Sequence, residues 1–277
     1  MNANHPSLIH YIYRGFLEVS DLKIGNRIFK SRLFVGTGKF ASVSEMIKAI
    51  DASGSEFVTV ALRRMDFDSN DDEFIDNIDP ERILLVPNTS GARDADEACN
   101  LARLACAAGA KKWIKLELTP EPRHLLPDPI ETLIAAERLV KEGFNVLPYI
   151  NADPILAKRL EDVGCVAVMP LGSPIGTNKG VEAKEMIKII IENSNVPVVV
   201  DAGLGMPSHA AFAMELGADA CLVNTAIATA KDPVKIANAF KLAVECGRDA
   251  YLYSKVSTFD TAQASSPRKG FIENLGK

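Results

Sequence analysis

Apolar residues along this chain fall into short runs rich in Val and Ile, and most runs are followed by stretches in which apolar positions recur at helical period. Run length and β-branched content predict strands over 32–37, 57–62, 83–88, 113–118, 146–150, 165–169, 197–201 and 221–224. Helical period predicts helices over 94–108, 129–142, 154–163, 180–193, 207–216 and 233–246. Proline follows aspartate at Asp153-Pro154 and Asp232-Pro233, which supplies an N-cap and a preset φ for the first turn. Gly109, Gly143, Gly164, Gly217 and Gly247 each follow a helical run and read as stops.

Eight such strand–helix units are what closes a parallel barrel, because consecutive parallel strands need helical crossovers. The expected fold is therefore α/β, a (β/α)8 TIM barrel, with a doubly wound open sheet as the alternative. The chain has 277 residues, and one barrel fills about 250. No break in composition divides it, so residues 17–277 are expected to form one domain after an extension over 1–16. Residues 17–29 alternate around Gly25-Asn26 and predict a β-hairpin that plugs the N-terminal end of the barrel. The tail after about residue 254 is expected to be peripheral and mobile.

Composition narrows the function classes. The formal charge of −5 gives no basic face for nucleic acid. No apolar run reaches the roughly 18 residues of a membrane helix, and the N-terminus lacks a signal-peptide pattern, so the cytoplasm is the expected location. Cys99, Cys106, Cys165, Cys221 and Cys246 form no CxxC pair and read as small buried hydrophobes in a reducing compartment. The four histidines are scattered, so neither a metal site nor any other cofactor is expected.

Candidate chemistry concentrates in Trp113-Ile114-Lys115-Leu116-Glu117-Leu118. Strand alternation puts Ile114, Leu116 and Leu118 on one face, under the helices, and Trp113, Lys115 and Glu117 on the other, inside the barrel. An inward lysine is costly unless it is paired or its pKa falls, and a neutral amine attacks carbonyls to make imines. Two readings stand side by side: an imine-forming Lys115 with Glu117 moving protons, or a structural ion pair. Asp201, at the end of an apolar strand before Ala202-Gly203-Leu204-Gly205, is either an acid/base or a loop carboxylate that satisfies backbone N–H groups. Glycine-containing or small polar loops follow three consecutive strands, at 170–177, 202–205 and 224–226, and suit a phosphate. The Gly36-Thr37-Gly38-Lys39-Phe40 stretch lacks P-loop spacing, which argues against a nucleoside triphosphate site.

These motifs assemble into a resemblance. GTGKF (36–40), VTVALRR (58–64), PNTSGA (87–92), WIKLEL (113–118), PLGSPIGTNKG (170–180), VVDAGLG (199–205), VNTAIA (223–228) and ASSPRKGF (264–271) occur in the order seen in bacterial thiazole synthases. The chain resembles that family from about residue 17 to residue 271. The resemblance implies a (β/α)8 barrel whose Lys115 forms an imine with 1-deoxy-D-xylulose 5-phosphate. It makes Glu117 and Asp201 the acid/base pair, and Gly176, Ala202, Gly203, Asn224 and Thr225 the sugar-phosphate contacts. It implies sulfur delivered as a thiocarboxylate on a ubiquitin-like sulfur-carrier protein, dehydroglycine as the source of the C–N unit, and a homo-oligomer.

The chain departs from the family pattern at Ala92, where cysteine is common, at the basic Arg268-Lys269 pair, and in its N-terminal extension. None of these touches Lys115, Glu117 or Asp201. Two rival readings are another lysine-imine barrel acting on sugar phosphates, such as an aldolase or a pyridoxal-phosphate synthase, and a non-catalytic scaffold for the carrier.

Overall fold

A computed structural model describes residues 21–61, 78–254, 260–263 and 265. The chain enters through two short strands, β1 (Leu22–Ile24) and β2 (Arg27–Phe29), paired antiparallel around the Gly25-Asn26 turn with Leu22 opposite Phe29. The hairpin expected over 17–29 is thus present where it is described. The barrel follows: β3 (Leu33–Gly36), α1 (Val43–Ser53), β4 (Phe57–Ala61), β5 (Leu84–Asn88), α2 (Ala95–Ala107), β6 (Trp113–Leu116), α3 (Pro129–Lys141) and β7 (Asn145–Ile150). It continues with α4 (Pro154–Asp162), β8 (Met169–Pro170), α5 (Lys184–Asn193), β9 (Val199–Asp201), α6 (Pro207–Glu215), β10 (Ala220–Val223), the short α7 (Thr225–Ala228) and α8 (Pro233–Tyr253).

Eight parallel strands run in the order β8-β7-β6-β5-β4-β3-β10-β9. The ring closes between β8 and β9 through parallel bridges Val168–Val198 and Leu171–Asp201, with Val199 N donating to Val168 O at 2.9 Å. The (β/α)8 barrel is therefore present, and the open sheet is not.

Strand alternation divides the core as expected. Ile114, Leu116 and Leu118 pack under the helices with Ala135, Leu139 and Val146. Phe34, Phe57, Leu84, Trp113, Leu147 and Leu222 fill the barrel interior, where Leu22, Ile24 and Phe29 of the hairpin join them. Phe34 stacks on Phe57 at 4.3 Å between centroids, and Phe29 meets Phe57 edge-on at 5.8 Å. The hairpin thus stops the N-terminal end with an aromatic plug and leaves the opposite mouth for chemistry.

Several boundaries differ from the expected ones, for local reasons. The eighth strand in chain order, β8, holds two residues rather than the expected five because the chain bends at Val166, which packs against the Gly25 turn. Helix α5 begins at Lys184 rather than at residue 180, since Glu182 and Ala183 instead donate their N–H groups to Gly172 O. Gly247 does not end a helix. It lies inside α8, where a Cβ would stand 2.3 Å from Ala211 O, so its role is to let α8 approach α6. Asp153 and Asp232 cap α4 and α8 as expected, each accepting from N–H groups of the first turn. Three cysteines, Cys99, Cys165 and Cys221, are buried as expected, whereas Cys246 is exposed on α8. Among the described residues no helix is long and apolar enough to cross a membrane. The expected extension over 1–16, the Arg63-Arg64 pair and most of the tail, including Arg268-Lys269, lie outside the described residues.

Candidate active site

At the C-terminal mouth, β6 and β9 bring three charged side chains into one buried cluster. Lys115 Nζ lies 2.7 Å from Asp201 Oδ2 and 3.2 Å from Glu117 Oε2. Lys115 and Glu117 are 5% exposed and Asp201 is 2% exposed, so a single ammonium is shared by two carboxylates away from water. Lys115 donates a well-directed hydrogen bond to Glu117. The Asp201 Oδ2 contact is close but off-axis, an ion pair rather than an aligned hydrogen bond.

The electrostatics follow from this packing. Burial pulls the Lys115 amine toward neutrality, but the charges of Asp201 and Glu117, with their polar contacts, outweigh it and hold Lys115 well above its ordinary value. Of the two outcomes open to an inward lysine, pairing is the one realised. Burial pushes the Asp201 carboxyl up, and the Glu117 charge adds to the rise, against the lowering effects of Lys115 and the Ala202 N–H. Asp201 is therefore a better proton acceptor than an exposed aspartate.

Glu117 lies just beyond the end of β6, and a residue of the preceding strand's loop holds it there. Thr89 Oγ1 accepts from Glu117 N at 2.8 Å and donates to Glu117 O at 3.0 Å, while Thr89 N donates to Lys115 O at 3.2 Å. Three residues on, Ala92 is fully buried and forms a parallel bridge with Leu118. The PNTSGA stretch thus acts as a clamp on the WIKLEL strand.

The loops after β8, β9 and β10 meet at the same mouth. Ala202 and Gly203 both adopt positive φ, +62° and +76°. A Cβ at position 203 would lie 1.9 Å from Ser173 Oγ, so only glycine fits there. Gly172 N donates to Asp201 O and Gly180 N to Gly203 O, which locks the two loops together. Asn224 bridges the first and last strands of the barrel. With its amide nitrogen turned toward the loop after β3, it donates to Gly38 O at 2.7 Å and Gly36 O at 3.1 Å. Gly176, Ala202, Gly203, Asn224 and Thr225 are accordingly all placed on the rim, around the buried Lys115, Glu117 and Asp201.

Sequence reasoning passed over one cation in this rim. Lys39 Nζ lies 3.3 Å from Thr225 Oγ1 and 3.6 Å from where a Gly176 Cβ would be, and the Lys39 backbone is held at φ +72°. The Gly36-Thr37-Gly38-Lys39 stretch lacks nucleotide-binding spacing and belongs to the family resemblance as a motif, with no role read for Lys39 itself. Its place at the C-terminal end of the first barrel strand was the signal that could have found Lys39.

A family model and the sequence relatives agree on one family. A family model described as thiazole biosynthesis protein ThiG matches residues 23–267. The chain belongs to the thiazole synthase family. Over 251 residues it is 65% identical to thiazole synthase of Syntrophobacter fumaroxidans, covering 91% of this chain and 98% of the relative. Against thiazole synthase of Vibrio cholerae the identity is 58% over 252 residues, covering 91% and 98% respectively. Among solved structures, the Amycolatopsis orientalis BexX/CysO complex contains a similar chain with a TM-score of 0.78 and 31% identity. That match covers 87% of this chain and 98% of the other. A native KDPGal structure, at 16% identity and a TM-score of 0.57, shares the fold alone. As a member of this family, the chain is an enzyme that makes a thiazole for thiamine.

Proposed function

We propose that Lys115 carries this activity by forming an imine with the ketone of 1-deoxy-D-xylulose 5-phosphate. The observation that supports it is one ammonium held between two buried carboxylates at the barrel mouth. Arrival of the ketone displaces the balance of that cluster. Lys115 passes a proton to Asp201, its neutral amine adds to the carbonyl, and Asp201 returns the proton to the departing hydroxyl as water.

The imine acidifies the adjacent carbon. Glu117, held by Thr89, takes that carbon's proton, and its return to the former carbonyl carbon moves the ketone one position along the chain. A thiocarboxylate at the C-terminus of a ubiquitin-like sulfur-carrier protein then supplies sulfur. Dehydroglycine supplies the C–N unit, and loss of water closes the ring. The phosphate sits among Gly176, Ala202, Gly203, Asn224 and Thr225, with Lys39 as its cation. A homo-oligomer is the assembly in which these barrels work.

The test is reconstitution with the ketose phosphate, the thiocarboxylated carrier and dehydroglycine. Thiazole phosphate appears with the intact protein and not with Lys115→Ala. Product formation by Lys115→Ala at the wild-type rate rules out the imine.

A further inference from the structure

Tyr149 sits in the Val-Leu-Pro-Tyr-Ile run of β7, where a strand aromatic reads as core packing. The structure places it otherwise. Leu147 points into the barrel plug, so Tyr149, two residues on, takes the next inward position, toward the mouth. Its ring carries Lys115 Nζ over its face at 5.3 Å. The residue is fully buried, and its hydroxyl finds no hydrogen-bond partner among the described residues.

A buried phenol normally has a partner, because an unmade hydrogen bond costs the full desolvation of the group. Phenylalanine would fill the same space without that cost. No described residue offers the hydroxyl a hydrogen bond, and the residue stands in the layer of the barrel mouth that holds Lys115.

We propose that the Tyr149 hydroxyl is a catalytic hydrogen-bond donor to the substrate oxygen on the carbon next to the imine carbon. This rests on the imine reading of Lys115. Once Lys115 has taken the carbonyl carbon, the carbonyl oxygen leaves as water and the phosphate is held at the rim. The nearest oxygen left to the nitrogen is the hydroxyl on the adjacent carbon, and the two carboxylates facing it are acceptors.

In the proton shift, the C–H bond at that carbon breaks, its proton goes to a carboxylate, its electron pair becomes the C=C bond of an enaminol, and the C=N π pair moves onto the nitrogen. The enol proton then leaves to the other carboxylate, the former imine carbon takes a proton back, and the oxygen becomes a carbonyl. Tyr149 donates to this oxygen throughout and keeps its own proton. Burial, with the charges of Asp201 and Glu117, pushes the phenol well above its ordinary value, which suits a donor and not a base.

The test uses Tyr149→Phe in the full chain, with three readouts. Borohydride trapping with the ketose phosphate should still give an adduct at Lys115. Exchange of the adjacent carbon's proton with D2O, followed by NMR, and thiazole turnover should both fall at least about 100-fold, the lower end of the range for removing one such donor. The melting temperature should hold or rise, since an unpartnered hydroxyl is removed. Placing 3-fluorotyrosine at position 149 should restore exchange. Wild-type exchange in Tyr149→Phe, or a lowered melting temperature, overturns the proposal. If the wild-type protein itself gives no adduct at Lys115, the imine reading fails first and takes this one with it.

Discussion

Lys115 on β6 and Asp201 on β9 belong to strands separated by two others, yet their charged atoms stand 2.7 Å apart inside the barrel mouth. Only closure of the ring brings them together. Lys115 is held above its ordinary value of 10.5, so its contribution to stability is complete below that pH and is lost as pH rises through the folded value.

Lys115→Met removes the ammonium and leaves Asp201 facing Glu117. Breaking a buried pair in this way costs about 3–5 kcal/mol. Lys115 is also what lowers the Asp201 pKa, so in the variant that carboxyl rises further above its unfolded value of 3.8. The folded variant then binds a proton that the unfolded chain does not, and its stability increases as pH falls through that raised pKa. Urea midpoints should show a large deficit against wild type at about pH 8 that narrows toward about pH 5. A deficit independent of pH contradicts the pairing.

Glu117→Gln and Asp201→Asn separate the two carboxylates. Asp201→Asn should slow imine formation itself, whereas Glu117→Gln should form the imine and then fail to exchange the adjacent carbon proton. Each loss should reach about 100-fold or more, the usual range for an acid or base. If both variants stall at the same step, the division of labour is wrong.

Lys39→Met tests the phosphate rim. Losing a charge-assisted contact should raise KM for the ketose phosphate by roughly 10- to 100-fold while leaving kcat within a few-fold. The unphosphorylated ketose should be used equally by both proteins. An equal change for both substrates would make Lys39 structural.

The inward direction of Lys115 and Glu117 was legible because alternation within one strand decides it, and Ile114, Leu116 and Leu118 had to lie under helices. The hairpin plug was legible for a similar reason, since its apolar positions had no other core to join. What was not legible came from contacts between distant segments. Gly247 followed a helical run but serves a helix crossing. Lys39 and Tyr149 gain their interest only from what the closed ring sets beside them, Thr225 and Gly176 for one and Lys115 for the other.

The plug and the site should be separable. Phe29→Ala empties an aromatic position at the far end of the barrel and should cost about 3–5 kcal/mol. Its denaturant midpoint should fall, while the folded fraction still forms the Lys115 adduct. Loss of the adduct in fully folded protein would mean that the plug shapes the mouth directly.

The most direct measurement is borohydride trapping with 1-deoxy-D-xylulose 5-phosphate, read by intact and peptide mass spectrometry. The account predicts one reduced adduct, located on Lys115 and missing in Lys115→Ala. An adduct on another lysine, or none from folded wild-type protein, would contradict it.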